Sequence, residues 1–312
     1  MRSSHYYVVM FDSIFTERGL SLERLRVLIE VHDAGGIART APGKISRHSQ
    51  FSRQLRELSE FFGCEVAHRR GKFLKLTSEG ARLAELARPF LRELTDFHSS
   101  CRSERIEFTV GAGDSLIHWL VIPRLGALLT AYPAVRFTTI SLRTNEIVRQ
   151  IEDGRIDFGL MRKNALVTGM KWSSLGTLSY VAVIPVTHAP RTKLPSFSEV
   201  FTKFPIAMQT TDGQFSEQLL AIAKETDKNF RPCLGCQSFP QTLAAVRSGR
   251  FAAIIPELAV KELPLGSVHK ITDTSLRKLQ RDIILVWNPR VIRVRSHAAK
   301  LVAELQKVLR FS

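Results

Sequence analysis

Apolar residues recur at helical spacing through the first hundred positions, then give way to short apolar runs separated by turns. In residues 46–63, SRHSQFSRQLRELSEFFG, Phe51, Leu55, Leu58 and Phe62 follow i, i+4, i+7, i+11 and form one stripe. Arg47, His48, Ser49, Gln50, Arg53 and Gln54 lie off it. The spacing predicts an amphipathic helix with Ser46 as N-cap and Gly63 as its stop, residues that satisfy the open backbone groups at its two ends. Ahead of it, Ser21 can cap a helix whose face holds Leu22, Leu25, Leu28, Ile29 and His32, with the small segment 36–41 (GIARTA) packed close by. After Gly63, Val66, the basic run Arg69-Arg70-Gly71-Lys72 and the run Phe73 to Leu76 predict two short strands around a turn. Three short helices followed by such a hairpin make a winged helix-turn-helix.

Thr77 can cap a long helix from Ser78 to about His98, with Leu83, Leu86, Ala87, Phe90, Leu91 and Leu94 on one broad apolar side and Pro89 able to bend it. Such a face needs burial, and packing against a second copy is the economical expectation; packing on the next domain of the same chain is the alternative. From residue 105 the pattern alternates: strand 105–111, helix 115–130, strand 135–142, helix 145–153, strand 156–161. That order predicts a parallel sheet wrapped by helices. A second set follows, with strands at 178–185, 206–209, 232–237 and 252–255 and helices at 215–226 and 241–248. The result is two small α/β lobes joined by crossing strands, with a cleft near the strand ends. The predicted organisation is an extension over 1–20, a winged module over 21–77, a linker helix over 78–104 and a two-lobed α/β domain over 105–312.

Charge sharpens the reading of the first module. Residues 44–75 hold eight basic and three acidic residues, a local excess of +5 within a chain of net charge +16. Lys and Arg on phosphate supply non-specific DNA affinity, whereas side chains at the start of a recognition helix reach base edges. Arg47, His48, Ser49, Ser52 and Arg53 are therefore the candidate DNA-reading residues, and Arg69, Arg70 and Lys72 the candidate phosphate contacts. A solvated helix with ordinary surface charges is the competing reading. Residues 101–312 carry 29 basic and 17 acidic side chains, compatible with a carboxylate-bearing ligand and equally with solubility or DNA association.

Other function classes are disfavoured. No stretch approaches the roughly 20 apolar residues of a membrane span, and Tyr6 to Met10 is too short for a secretory core, so a cytoplasmic protein is expected. Four cysteines fit a reducing compartment. Cys233 and Cys236 form a CxxC pair with no second pair nearby, on a predicted strand where positions i and i+3 point to opposite faces, which favours structural cysteines. HExxH, GxSxG and Walker motifs are missing, and Gly111-Ala112-Gly113 lacks the third glycine of a dinucleotide fingerprint. No catalytic set, metal site or cofactor is expected.

Residues 22–80 resemble the DNA-binding module of LysR-type transcriptional regulators without a gap: Leu25, Gly35-Gly36-Ile37, Thr40-Ala41, Ser52-Arg53-Gln54-Leu55, Arg69, Leu76-Thr77 and Gly80 carry the match. The chain departs from the family at the helix start, with Arg47-His48-Ser49-Gln50 in place of Ser-Gln-Pro-Ala, and with Lys44 for an apolar residue. The effector domain of that family is resembled by Ile122-Pro123-Arg124-Leu125, Tyr132-Pro133, the stretch 151–157 (IEDGRID), Val183-Ile184-Pro185 with His188, and the stretch 246–256 (VRSGRFAAIIP). The resemblance implies a two-lobed domain of periplasmic-binding-protein type and a homodimer or homotetramer on double-stranded DNA with two half-sites. It also implies a small effector, which can be anionic, held by Ser115, Thr144, Asn145, Arg162, Gln209 and Thr210. Phe251 stands where the family usually has glycine, and its bulk can narrow the cleft. If it does, the larger domain of the regulator serves only assembly or protein contact.

Overall fold

A computed structural model describes residues 12–15, 18–40, 45–70, 73–188, 194–210, 213–295 and 297–311. Two compact units are present, residues 1–102 with 294–296 and residues 103–293 with 297–312.

The smaller unit contains α1 (Leu22–Ala34), α2 (Ile37–Thr40), α3 (Ile45–Phe62), β1 (Ala67–Arg70), β2 (Phe73–Leu76) and α4 (Ser78–Cys101). Ser21 caps α1, its Oγ accepting the Arg24 N–H at 3.2 Å, and Gly35 ends it in the left-handed region at φ 71°. The buried face of α1 is Leu25, Val27, Leu28 and Val31; Leu22 is exposed and His32 half-buried. That face is rotated from the predicted one because the four residues share a core with Ile37 of α2, Phe51, Leu55 and Leu58 of α3 and Ala84 and Ala87 of α4, on several sides of α1.

α3 begins at Ile45, so Ser46 lies inside its first turn and is not the N-cap. At the other end Gly63 (φ 63°) closes it with Gly63 N–H on Glu60 O and Cys64 N–H on Ser59 O, a Schellman pair. Two stripe assignments change. Gln54 is buried, since at 100° per residue it falls beside Phe51 and Leu58, and its Oε1 has no hydrogen-bond partner among the described residues. Phe62, the last helical residue, extends past the core and stays partly exposed with its ring edge-on to Phe61.

β1 and β2 pair antiparallel from Ala67↔Leu76 to Arg70↔Phe73. Thr77 then caps α4, accepting the Gly80 N–H at 3.0 Å. Gly80 sits where the wing meets this helix: a Cβ there would lie 1.9 Å from the Val66 carbonyl oxygen, which itself accepts the Thr77 N–H.

The larger unit is built on two five-stranded sheets. In the first, β3 (Ile106–Ala112) pairs parallel with β4 (Val135–Ser141) and β5 (Phe158–Arg162). Between β3 and β4 the chain is helical at Asp114–Leu116, passes through a π-helical turn at Ile117–Val121, and continues as α5 (Ile122–Ala131). α6 (Thr144–Glu152) crosses from β4 to β5. The stretch 151–157 makes the return: Gly154 turns at φ 65°, and buried Asp157 accepts the Thr109 N–H at 2.8 Å, tying the loop to β3.

The strand expected over 178–185 is two strands, β6 (Lys171–Leu178) and β7 (Tyr180–Pro185), which break at Ser179 and enter different sheets. The second sheet has the order β11-β7-β10-β8-β9, with α7 (Phe197–Lys203), β8 (Ile206–Gln209), α8 (Gly213–Thr226), β9 (Leu234–Cys236), α9 (Phe239–Arg247), β10 (Ala252–Pro256) and β11 (Val268–Ile271). β12 (Arg281–Trp287) then returns to the first sheet and lies antiparallel to both β5 and β6. That sheet is accordingly mixed; its β3–β4–β5 part is the parallel sheet the alternating pattern predicts. α10 (Ala298–Val308) packs on α5 and β6. The pattern along the chain did not predict β6 before Leu178, β11, β12, α7 or α10.

Gly80→Ala forces the first turn of α4 away from the Val66 carbonyl, and overpacking of this kind costs about 1–3 kcal/mol. Urea denaturation of the smaller unit, followed by a probe in that unit, measures the loss.

Candidate nucleic-acid interface and ligand cavity

α3 is amphipathic, and its first turns carry the polar side chains singled out above. Arg47, Ser49 and Arg53 are exposed, His48 and Ser52 half-buried. Arg47 rests with its guanidinium 5.2 Å from the Phe51 ring centre and an Nη2 3.5 Å from Glu30 Oε2. Arg53 Nε is 3.7 Å from Glu57 Oε1, one turn on, and Glu57 Oε2 also accepts from Arg24 Nε at 2.6 Å. Exposed ion pairs at such separations are worth little, so either arginine can exchange its carboxylate for a phosphate or a base edge at small cost. The frame behind them is firmer. Arg88 of α4, nearly buried, makes a two-pronged ion pair with Asp33 of α1, with Nη1 donating to Oδ2 at 3.0 Å and Nη2 to Oδ1. Arg69 is exposed on β1, Arg70 ends that strand opposite Phe73, and Lys72 lies outside the described residues.

The second site is a cavity of about 1100 Å³ in the larger unit, walled by residues of both sheets. It gathers Ser115 from the helical start after β3, Thr144 and Asn145 from the first turn of α6, Arg162 from the end of β5, and Gln209 from the end of β8. Strand ends and helix starts converge there because α6 and α9 begin on the side where β4 and β9 stop. Thr210 is not brought to the cavity: its N–H and Oγ1 both donate to Cys236 O, at 2.9 and 3.2 Å, which turns it toward β9.

The lining is cationic. Arg143, Arg149, Arg162 and Arg281 face Asp114 and Glu146, and Glu146 is already engaged in accepting the Arg143 N–H at 2.8 Å. Arg162 Nη1 donates to Gln214 Oε1. Gln209 Oε1 is buried with no hydrogen-bond partner, an acceptor oriented for a donor that the described residues do not provide. Tyr180 and Phe239 add an aromatic wall, their rings 5.7 Å apart and both packed on Phe215. Arg281, Gln214, Tyr180 and Phe239 are absent from the sequence-based set. The first lies on a strand that carries no alternation, and the others are brought in by packing alone.

Phe251 does not enter the cavity. It packs, half-buried, on Ala207, Cys236 and Ala245 and is not among the residues that line the cavity. Cys236 is buried in the same cluster and Cys233 is exposed, both as free thiols. Among the described residues no group of three or more His, Cys, Asp or Glu is placed to hold a metal ion.

A winged helix-turn-helix on one chain with a two-lobed, cavity-bearing α/β unit is the architecture of a DNA-binding regulator. Residues 102–309 match the LysR substrate binding domain, and the chain belongs to the LysR family of transcriptional regulators. Among curated relatives it is 21% identical over 277 residues to the uncharacterized HTH-type transcriptional regulator YraN of Bacillus subtilis, covering 86% of this chain and 92% of that one. It is 22% identical over 275 residues to a probable nitrogen assimilation transcriptional activator of Synechococcus elongatus, covering 86% and 88%. Among solved structures its fold is similar to a full-length OxyR variant from Pseudomonas aeruginosa, with TM-score 0.65, 16% identity and coverage of 95% and 96%. It is also similar to full-length CbnR complexed with its target DNA, with TM-score 0.55, 18% identity and coverage of 91% and 99%.

Truncation of a half-buried aromatic removes packing without touching the cavity wall. Phe251→Ala is therefore expected to lower stability by about 1–3 kcal/mol in a denaturant titration.

Proposed function

We propose that this chain is a cytoplasmic, sequence-specific regulator that binds double-stranded DNA through α3 and the wing and responds to a small effector in the cavity. The observation that carries the reading is the exposed arginine pair at the start of α3, held on a packed winged module. Arg47, His48, Ser49, Ser52 and Arg53 read bases, while Arg69, Arg70 and Lys72 contact phosphate. Residues 21–77 serve as the DNA-binding domain, 78–104 as linker and 105–312 as effector domain. The CbnR complex with its target DNA, a neighbour of the same fold, supports this use of the module.

Assembly is a homodimer or homotetramer. Leu86, Phe90, Leu94 and Phe97 are exposed along α4 at spacings of four, four and three, an apolar stripe that water disfavours and a second copy of the helix would cover. Two-fold symmetry then matches a target of two half-sites. No helix among the described residues is long and apolar enough to cross a membrane. The effector is small and anionic, with Ser115, Thr144, Asn145, Arg162 and Gln209 as contacts, supported by the cationic lining. A larger domain confined to assembly loses its motive, because Phe251 stands clear of the cavity.

Footprinting on DNA upstream of the protein's own and neighbouring genes tests the first part: protection of two half-sites at near-physiological salt is expected. Arg53→Ala should lower specific affinity by about 1–3 kcal/mol, whereas Lys72→Ala weakens specific and random DNA alike. Equal losses on both kinds of DNA for both variants would remove the assigned roles. Calorimetry against a panel of metabolite carboxylates tests the second part, with binding expected to fall in Arg162→Ala; indifference to that change excludes Arg162 as an anchor.

A further inference from the structure

We propose that Glu57 is a specificity-determining residue of the DNA interface: its carboxylate, shared between Arg24 of α1 and Arg53 of α3, keeps Arg53 directed for base edges and withholds both arginines from indiscriminate phosphate contact. The inference rests on the reading of α3 as the base-reading helix and names the residue that sets how that helix discriminates.

The two oxygens of Glu57 serve different helices. Oε2 accepts from Arg24 Nε at 2.6 Å and also meets Nη2 of the same guanidinium, so two donors of one fork converge on it. Oε1 faces Arg53 Nε at 3.7 Å, one helical turn back along α3. The contact with Arg24 is the firmer of the two. The side chains of Arg24 and Glu57 are 27% and 29% exposed, whereas that of Arg53 is 66% exposed. A charge-assisted contact that is partly withdrawn from water outweighs a loose pair on the surface. Among the described residues no other carboxylate is paired with either arginine.

Arg24 therefore decides where the Glu57 carboxylate stands, and the carboxylate decides where Arg53 rests. A long exposed side chain samples many directions, and on DNA most of them end on a phosphate, which carries no sequence information. A fixed acceptor one turn away narrows those directions. The Arg53 pair is weak enough to be given up when a base edge offers two acceptors, and the carboxylate it leaves still holds Arg24. On unrelated DNA no such base edge is presented, and Arg53 stays with Glu57. Charge acts in the same direction: with the acid removed, two cations stand at this edge uncompensated, and attraction to phosphate grows for every sequence alike. Glu60 supplies a comparison within the same helix. Its partner is Arg56 at 3.8 Å, with side chains 69% and 70% exposed, so its removal changes the charge of α3 equally and leaves the Arg24–Glu57–Arg53 junction in place.

The test is fluorescence anisotropy of the full-length protein on two labelled duplexes of equal length, the site protected in footprinting and the same sequence scrambled, over a series of salt concentrations. Glu57→Gln is expected to raise affinity for scrambled DNA about threefold or more and to steepen its logarithmic salt dependence by about 1. The ratio of specific to scrambled affinity should fall at least about fivefold, with an unaltered unfolding temperature, which a merely structural role would not produce. Glu60→Gln should raise affinity for both duplexes alike and leave the ratio unchanged. In an Arg53→Ala background Glu57→Gln should no longer move the ratio, a coupling that the double-mutant cycle reads directly. Glu57→Asp keeps the charge, shortens the reach and is expected to lower the ratio in part, so the prediction stands even where Glu57→Gln folds poorly. A ratio unchanged in both Glu57 variants overturns the proposal. An equal fall in Glu60→Gln does so as well, since the effect is then one of helix charge alone, and so does a fall that persists without Arg53. Wild-type protein that protects no site removes the base-reading role of α3 and this inference with it. A preferred site that is lost in Arg53→Ala but indifferent to the Glu57 variants removes this inference alone.

Discussion

Insertion of β12 between β5 and β6 completes the first sheet with a strand drawn from near the end of the chain. Strand pairing across more than a hundred residues carries a loop-closure cost, which burial on both faces of β12 repays. Ile283 and Leu285 join the large core between the sheets and helices; Ile284 and Val286 pack with Ile147 and Ile151 of α6. The same strand, with the β6–β7 break at Ser179, makes the chain pass between the two sheets in both directions. The cavity lies beside these crossings, and Leu178, Tyr180, Arg281 and Ile283 belong to both the crossings and its wall. Architecture and candidate recognition chemistry in the larger unit thus share one set of residues.

In the smaller unit the corresponding constraint is steric. α1 supplies a central face on which α2, α3 and α4 close, and Gly80 lets α4 leave the wing hard against the Val66 carbonyl. Arg88 and Asp33 fix α4 to α1 from the polar side. Against this firm frame the arginines of α3 have loose partners: Glu30 and Glu57 hold Arg47 and Arg53 at 3.5 and 3.7 Å, distances that keep the charges oriented and exchangeable. That surface differs from the cavity wall, where Arg281 is held by the carbonyls of Leu279 and Gln280 and the side-chain oxygen of Gln218.

Much of the smaller unit is legible from local signals. The Ser21 and Thr77 caps, the Gly63 stop, the period of α3 and the pairing of β1 with β2 all act within a few residues of where they are written, so the chain itself determines those elements. The same holds for β3, β4, β5 and α6, whose alternation reflects short crossover connections. Gly80 and Asp157 stand out only within longer stretches, and what each does needs the fold: one admits a carbonyl, the other ties a turn to β3.

Tertiary structure decided the rest. Gln54 is buried because it lies beside Phe51 and Leu58 on a helix packed against α1, α2 and β1, and Phe251 packs on Ala207, Cys236 and Ala245 instead of lining the cavity. Thr210 is drawn to the Cys236 carbonyl, a partner 26 residues away. Arg281 gains its place only when β12 finds β5 and β6, and no residue near it in sequence marks that pairing. Caps, turns and helical periods are properties of neighbouring residues and can be read along the chain. Strand partners and cavity walls depend on which distant surfaces bury each other, and that is settled only when the whole unit packs.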